Sequence, residues 1–252
     1  MDYDIEKAKR DIGRARKIIK KGEIGTLEKL GSGYHGKVFC FNSLALKREY
    51  IPHKNCARDT NRMRVKLSKE GIKRELDFAP YLGYSTTPFE PTSHRHSDKG
   101  VIGFEPSSYG LNRDNVAIMP RINGVAAKDK ECFARIANMG AEGIERYFNT
   151  YLELKNMGFY IDYWHENTIV GEHINVVDLA IADKEDNDPN NISLREASRL
   201  LLDSTLGSYT NYADVEARFE IIGNMKGALC KWGDDGKFAT EFCDAKELAM
   251  RE

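Results

Sequence analysis

Three polar side chains that could bind a metal ion and activate a hydroxyl group lie close together in the chain. Asp162 is followed by four residues and then by Asn167, and a short apolar run then leads to Asp178. Amide and carboxylate oxygens are ligands for a hard cation, so Asn167 and Asp178 are candidate Mg²⁺ ligands. Asp162 is a candidate base that orients an acceptor hydroxyl and takes its proton. Because this spacing is common, its meaning depends on the residues upstream.

A glycine-rich segment upstream could hold phosphate groups. Gly31, Ser32, Gly33 and Gly36 form the pattern G-x-G-x-x-G, and Val38 follows it. Dinucleotide-binding folds use the same spacing to open a helix. Here strand-like residues follow the glycines, so the segment predicts a hairpin whose backbone N–H groups can approach phosphates closely.

A lysine follows in the next apolar run, Leu44-Ala45-Leu46-Lys47. Burying an unpaired ammonium group is costly, so a lysine inside an apolar strand needs an anionic partner. Lys47 is therefore a candidate ligand for a phosphate group.

In this order, the glycine hairpin, the lysine strand and the Asp162, Asn167 and Asp178 set resemble the signature of the protein-kinase-like superfamily. The resemblance covers roughly residues 25 to 182. It implies an α+β, two-lobed protein-kinase-like fold with a small antiparallel β-sheet N-lobe and a reduced, mainly helical C-lobe. It also implies three parts: an N-terminal helix at residues 1–24, the N-lobe at 25–119, and the hinge and reduced C-lobe at 120–252.

The resemblance implies ATP and Mg²⁺ as cofactors and a catalytic set of Asp162, Lys47 and Glu75. Lys47 would hold the α- and β-phosphates while it pairs with a glutamate of the following helix. Glu75 is preferred to Glu70 for this role, because Gly71 weakens the helix around Glu70. Asn167 and Asp178 would hold the metal ion.

The segment Met119-Pro120-Arg121-Ile122-Asn123-Gly124 is similar to the inter-lobe hinge of kinases. Met119 would be the gatekeeper, Pro120 would offer its carbonyl to adenine, and Ile122 would donate its N–H. The purine would be sandwiched by three apolar side chains: Val38, Ala45 and Ile169.

The chain departs from the kinase pattern at several points. Tyr160-Ile161 stands before Asp162 where kinases have His-Arg, and Asp178-Leu179-Ala180 stands in place of Asp-Phe-Gly. No Ala-Pro-Glu occurs, and a capping-box helix start follows at Ser193. Because the arginine that anchors an activation-loop phosphate in kinases is replaced by Ile161, we expect no switching by phosphorylation of that loop. The trimming resembles compact kinase-like effectors of bacterial pathogens and small bacteriophage kinases.

Hydrophobic periodicity predicts the helices. Residues 4 to 22 form a helix whose apolar stripe is expected to pack on the domain that follows. Further helices are predicted at residues 131–139, 141–157, 195–206 and 212–229, and a polar tail after them.

Composition limits the partners and the compartment. The net charge of −1 gives no global field that would favour nucleic acid. No stretch reaches the ~18 apolar residues of a membrane span, and the acidic start is unlike a signal peptide. Five cysteines without a C-x-x-C pair indicate reduced thiols. We expect a cytoplasmic protein, including one delivered into a host cytosol, with a protein substrate; an activating protein partner stays open.

The function predicted from these residues is ATP- and Mg²⁺-dependent phosphoryl transfer to Ser, Thr or Tyr hydroxyls of a protein. One alternative is a small-molecule kinase of the aminoglycoside or choline kinase type, which often has a histidine at the position of His165. Another is a nucleotide-binding pseudokinase scaffold, which the altered Asp178-Leu179-Ala180 favours slightly. Transfer of the adenylyl group is a further alternative.

Overall fold

The computed structural model describes residues 2–33, 36–49, 54–88, 94–97, 100–103, 113–127, 129, 131–160, 167–181, 194–206 and 215–251. The helices are α1 (Ile5–Lys21), α2 (Lys54–Lys73), α3 (Glu131–Asn138), α4 (Gly140–Asn156), α5 (Leu194–Leu206), α6 (Val215–Leu229) and α7 (Gly233–Ala249). The strands are β1 (Lys29–Gly33), β2 (Gly36–Phe41), β3 (Leu44–Glu49), β4 (Gly83–Pro88), β5 (His94–Ser97), β6 (Gly100–Gly103), β7 (Arg113–Pro120), β8 (Val125–Ala126), β9 (Phe159–Tyr160), β10 (Thr168–Val170), β11 (Ile174–Val176) and β12 (Ala180–Ile181).

The chain divides into two compact units. The sheet unit comprises Tyr3–Arg74 and Ala79–Arg121. The helical unit comprises Met1–Asp2, Glu75–Phe78 and Ile122–Glu252.

The sheet unit contains a five-stranded antiparallel sheet in the order β1-β2-β3-β7-β4. Side chains alternate between the two faces of a strand, and residues paired across antiparallel strands share a face. The register therefore assigns each residue to a face. One face, which we call the lysine face, carries Val38, Cys40, Ala45, Lys47, Glu49, Ala117 and Met119. The opposite face carries Phe39, Phe41, Leu44, Leu46, Val116 and Ile118.

Helix α1 packs on the face opposite the lysine face. The Asp4 side chain caps its N-terminus by accepting from the N–H of Lys7, and Gly22, at φ 76°, ends it in the left-handed conformation. Ala8, Ala15 and Ile19 are fully buried in one cluster with residues of that face. This confirms the prediction that the apolar stripe of the first helix packs on the domain that follows.

A buried carboxylate fastens α1 to the turn between β2 and β3. Asp11 accepts a hydrogen bond of 2.7 Å from the Ser43 hydroxyl, and it also accepts from the Ser43 N–H and the Asn42 amide. The hydrogen bond from the Ser43 side chain is the main reason that the pKa of Asp11 is held below its ordinary value of 3.8.

Replacing Asp11 with asparagine should make the protein less stable at pH 7 by about 1 kcal/mol, because an ionised hydrogen-bond acceptor is lost. A lowered pKa in the folded state stabilises the fold above the unfolded-state pKa, and that stabilisation disappears as the pH falls through the folded-state pKa. Urea unfolding of both proteins at pH 7 and pH 3 should therefore show a difference that shrinks at the lower pH. Glu6→Gln, which alters an exposed carboxylate on the same helix, serves as the control, and an equal response from Glu6→Gln would contradict the assignment.

The helical unit is built around α4, which packs against α6, while α5 packs against α7. Two small sheets accompany the helices, one in the order β11-β10-β8 and one that pairs β12 with β9. The residues that α4 buries are Ile144, Tyr147, Phe148, Thr150, Tyr151 and Leu154.

The prediction of a polar tail after α6 is wrong, because residues Gly233–Ala249 form α7. This helix buries Gly236, Ala239 and Cys243. A Cβ atom at Gly236 would stand 2.1 Å from the carbonyl oxygen of Leu229. Small residues thus let the helix approach its neighbour closely, and such residues contribute little to a hydrophobic pattern.

The fold is α+β, with a small antiparallel sheet in one unit and mainly helices in the other. This confirms the predicted class, and the order of the elements agrees with a kinase-like fold. Among the described residues, no helix combines the length and the apolar character needed to cross a membrane.

Candidate active site

The glycine-rich segment forms the hairpin of β1 and β2. Gly31 pairs with Val38, Ser32 with Lys37, and Gly33 with Gly36. A strand therefore follows the glycines, as predicted, rather than the helix of a dinucleotide-binding fold. Residues 34 and 35 lie outside the described residues.

Two of these glycines meet different surroundings. A Cβ atom at Gly36 would lie 2.2 Å from the carbonyl oxygen of Arg48, so the backbone of β3 leaves no room for a side chain. A Cβ atom at Gly31 would meet nothing within 4 Å. Gly36 is thus required by the packing of the sheet, whereas Gly31 leaves open space above the hairpin.

Substituting alanine at these positions should separate folding from binding. Gly36→Ala should lower the free energy of unfolding by roughly 1–3 kcal/mol, because β3 must shift to admit a methyl group. Gly31→Ala should change stability by less than about 0.5 kcal/mol and should weaken MgATP binding by blocking close approach of the backbone. Thermal unfolding and nucleotide titration measure the two effects, and a Gly36→Ala protein as stable as the wild type would contradict the assignment.

The lysine face brings together four of the predicted nucleotide-contacting residues. Lys47 pairs with Val38 on one side and with Ala117 on the other, and Ala45 pairs with Met119. Met119 is buried at 4% exposure, whereas Val38 and Ala45 are half-buried. The face thus offers an apolar surface beside a primary amine.

Lys47 is buried next to a carboxylate of its own strand. Its Nζ atom lies 3.6 Å from Oε1 of Glu49. The same oxygen accepts a 2.9 Å hydrogen bond from Nη1 of Arg64, which lies on α2. Glu49 is thus the anionic partner that the sequence predicts for Lys47, although no motif in the sequence points to Glu49. Glutamate two positions from the lysine on a strand shares its face, and this spacing was the signal that could have found it.

Glu75 does not lie in the helix where it was expected. Helix α2 ends at Lys73, and Glu75 is exposed with a φ of 57°, which is not helical. The physical reason is the anchoring of Asp77, which accepts hydrogen bonds from the Arg146 guanidinium and donates its N–H to Thr150. These contacts fix the segment on α4 within the helical unit. The helical placement of Glu75 is therefore wrong, and its pairing with Lys47 stays a prediction.

The predicted hinge follows β7, which ends at Pro120. The N–H of Arg121 donates to the Ser43 carbonyl and that of Asn123 to the Asp2 carbonyl, each at 2.8 Å. Within the part of the chain that the structure describes, no acceptor is found for the intervening N–H of Ile122. Among the described residues, only the N–H groups on either side of Ile122 are therefore engaged, which agrees with the prediction that Ile122 donates to adenine.

The two predicted metal ligands lie at the same end of the hairpin formed by β10 and β11. Thr168 pairs with Val176, and the Val177 N–H donates to the carbonyl of Asn167 at 2.9 Å. Asp178 follows directly after Val177. The hairpin therefore brings the side chains of Asn167 and Asp178 to one end. Amide and carboxylate oxygens are suitable ligands for a hard cation such as Mg²⁺. Ile169, predicted to contact the purine, is the central residue of β10 and is half-buried.

A buried residue near the N-terminus secures the other end of that hairpin. The carboxylate of Asp2 accepts from the N–H of Glu172 at 2.6 Å, from the N–H of His173 at 3.0 Å and from the amide of Asn175 at 2.5 Å. A Cβ atom at Gly171 would stand 2.3 Å from Oδ1 of Asp2, so glycine is needed for this approach. No sequence pattern pointed to Asp2.

Asp2, Glu172 and His173 also bring potential metal-ligating atoms within 4.8 Å of one another. The Asp2 carboxylate faces three N–H donors, and such donors repel a cation. We therefore assign the cluster to fastening the chain and not to binding metal.

The remaining candidate, Asp162, lies outside the described residues, as does His165. Its role as the base stays a prediction.

No family model and no curated protein matches the chain. Among solved structures, the chain is similar to the Legionella pneumophila Lpg2603 kinase bound to IP6, at 14% sequence identity and a TM-score of 0.35. The match covers 71% of this chain and 57% of that one, so the chain spans less than two thirds of the kinase it matches.

Proposed function

We propose that this protein is an ATP- and Mg²⁺-dependent kinase that phosphorylates Ser, Thr or Tyr hydroxyls of a protein substrate. The observation that carries the proposal is the lysine face of the sheet. There Lys47 is buried beside Glu49 and shares its face with Val38, Ala45 and Met119. Nucleotide sites combine an apolar surface for the base with a few fixed polar groups, and this face has both.

The roles of the phosphate and metal ligands follow from chemistry. The backbone of Gly31, Ser32, Gly33 and Gly36 would cover the phosphates, and Lys47 would hold the α and β groups. Asn167 and Asp178 would hold Mg²⁺, which bridges phosphate oxygens and neutralises charge that develops during transfer. Their position at one end of the hairpin of β10 and β11 supports this role.

Adenine would bind to the predicted hinge segment that follows β7. The carbonyl of Pro120 would accept from the base, and the N–H of Ile122 would donate to it, with Ile169 contacting the ring. The hydrogen bonds that occupy the N–H groups of Arg121 and Asn123 support the choice of Ile122.

The acceptor hydroxyl would be oriented by Asp162, which would take its proton as the γ-phosphoryl group moves. Because no Ala-Pro-Glu occurs in the sequence, and this motif supports the substrate platform of protein kinases, we propose that an activating protein helps to present the substrate. The proposed compartment is the cytoplasm, including that of a host cell.

The reaction is tested by incubating the protein in a cell lysate with ATP labelled at the γ-phosphate and, separately, at the α-phosphate. Label on proteins from γ-labelled ATP alone supports the proposal. Label on small metabolites would assign a small-molecule kinase, and label from α-labelled ATP would assign adenylyl transfer. Absence of transfer from either, with MgATP still bound, would assign a scaffold.

The metal ligands give a second test. Asp178→Asn should weaken Mg²⁺-dependent ATP binding by about 10–100-fold, since losing even an outer-shell partner of a metal costs that much. Titration with ATP in the presence of Mg²⁺ and of EDTA measures the metal-dependent part. Glu172→Gln, which changes an exposed carboxylate at the other end of the same hairpin, should leave binding unchanged. Equal affinities of Asp178→Asn and wild type in Mg²⁺ would contradict the assignment.

A further inference from the structure

Three charged side chains of the sheet unit, all largely buried, meet at one oxygen atom. Oε1 of Glu49 lies 3.6 Å from Nζ of Lys47 and 2.9 Å from Nη1 of Arg64. The exposed fractions of the three side chains are only 11% for Lys47, 9% for Glu49 and 12% for Arg64. In such a setting the geometry of one charge depends strongly on the others, because water screens them little.

Strand geometry puts the carboxylate beside the amine. Lys47 and Glu49 are two residues apart on β3, so their side chains leave the same face of the sheet. The carboxylate therefore belongs to the most central part of the sheet and not to a helix that could move away.

Arg64 is itself held on two sides. Its guanidinium bonds Glu49 and lies 5.2 Å from the centre of the Tyr81 ring. The N–H of Tyr81 donates to the hydroxyl of Ser68, one turn further along α2. The C-terminal half of α2 is thus fastened to the segment before β4, and this fastening positions Arg64.

We propose that Glu49 is the positioning residue for Lys47, and that Arg64 connects helix α2 to the lysine through this strand carboxylate. The inference rests on the proposed kinase function and specifies how its phosphate-binding lysine is held. Helix α2 then acts on Lys47 through Arg64, which binds the carboxylate that contacts the lysine.

Because Oε1 of Glu49 contacts both Lys47 and Arg64, the arginine can stabilise the carboxylate when the lysine binds another anion. When Lys47 binds a triphosphate, its ammonium group contacts the phosphate oxygens and interacts less strongly with the carboxylate of Glu49. A buried carboxylate left without a cation is strongly unfavourable. Arg64 keeps the Glu49 carboxylate paired during that change. Lys47 can therefore bind the phosphates while Glu49 still fixes the orientation of the lysine side chain.

The test uses Glu49→Gln, Arg64→Met and the double variant, with kcat and KM for ATP measured beside thermal unfolding. Glu49→Gln alone removes the carboxylate that Lys47 and Arg64 share, and the variant should be both less stable and less active. The double variant removes one charge of each sign, so it should recover stability. Lys47 still lacks its positioning residue there, and kcat should remain about 10²-fold below wild type, the loss that a misplacement of ~1 Å can cause.

Asp11→Asn is the matched control. Asp11 is another buried carboxylate of the sheet unit, and it bonds Ser43 and Asn42. Its replacement should lower stability and leave kcat unchanged. A double variant of Glu49 and Arg64 with wild-type kcat would overturn the inference, as would a Glu75→Gln protein that alone loses kcat while Glu49→Gln keeps it.

Lys47→Met separates this inference from the proposed function. If Lys47→Met abolishes transfer while the double variant matches wild type, only the inference fails. If wild type and Lys47→Met transfer phosphate equally, or neither does, the proposed function fails and the inference fails with it. Loss of transfer in both Lys47→Met and the double variant supports both.

Discussion

Replacing Asp162 with asparagine is expected to slow phosphoryl transfer by roughly 10²–10⁴-fold, while MgATP binds about as well as to the wild type. The asparagine amide keeps the size of the side chain but cannot accept the proton of the attacking hydroxyl. Since Asp162 is not assigned to the metal or the phosphates, ground-state binding should survive. Single-turnover measurements with saturating ATP separate the chemical step from nucleotide binding.

The same substitution at Asp178 provides the control, because it should show the opposite pattern. There the loss appears first in Mg²⁺-dependent affinity, which raised Mg²⁺ should partly restore. Raised Mg²⁺ should do nothing for Asp162→Asn. Undiminished transfer by Asp162→Asn, or recovery of that variant with Mg²⁺, would show that Asp162 is not the base.

The parts of the site that depend on local pattern could be predicted from the sequence. Alternation along β3 puts Ala45 and Lys47 on one face, and the glycine spacing followed by strand residues predicts the hairpin of β1 and β2. The short apolar runs around Gly171 predict the hairpin that brings Asn167 and Asp178 together. In each case the prediction rests on the two-residue alternation of side chains along a strand.

The parts that depend on distant contacts could not be predicted. The end of α2 is decided by Asp77, whose partners Arg146 and Thr150 lie about seventy residues further along the chain. Local helix propensity extended the helix to Glu75 because nothing near Glu75 in the sequence shows those partners. Tertiary contacts of this kind override propensity.

Helix α7 was missed for a different reason. Its buried positions are small, including Ala239 and Cys243, and its exposed positions include the large apolar Phe238 and Leu248. Hydrophobic periodicity, which assumes large apolar residues on the buried side of a helix and polar residues on the exposed side, therefore does not predict this helix. Close approach of small residues to a neighbouring backbone has no signature in a single sequence.

Asp2 is the clearest example of a contact that the sequence does not reveal. Asp2 is 6% exposed, and its carboxylate accepts two hydrogen bonds from the turn of the β10 and β11 hairpin and one from Asn175 of β11. Its carbonyl accepts from the N–H of Asn123 in the predicted hinge. The proposed metal ligands lie at the far end of that hairpin. Asp2 therefore joins the segment that we propose to bind adenine to the hairpin that carries the proposed metal ligands.

Replacing Asp2 with asparagine should lower the free energy of unfolding by roughly 2–4 kcal/mol, because an amide offers one acceptor oxygen and turns its NH₂ group towards buried donors. Asp4→Asn is the matched control: Asp4 is an exposed helix cap, and asparagine caps about as well as aspartate. Urea unfolding should therefore separate two identical substitutions that lie two residues apart. If the two variants unfold at the same urea concentration, the carboxylate of Asp2 does not secure the hairpin, and the observed hydrogen bonds contribute little to stability.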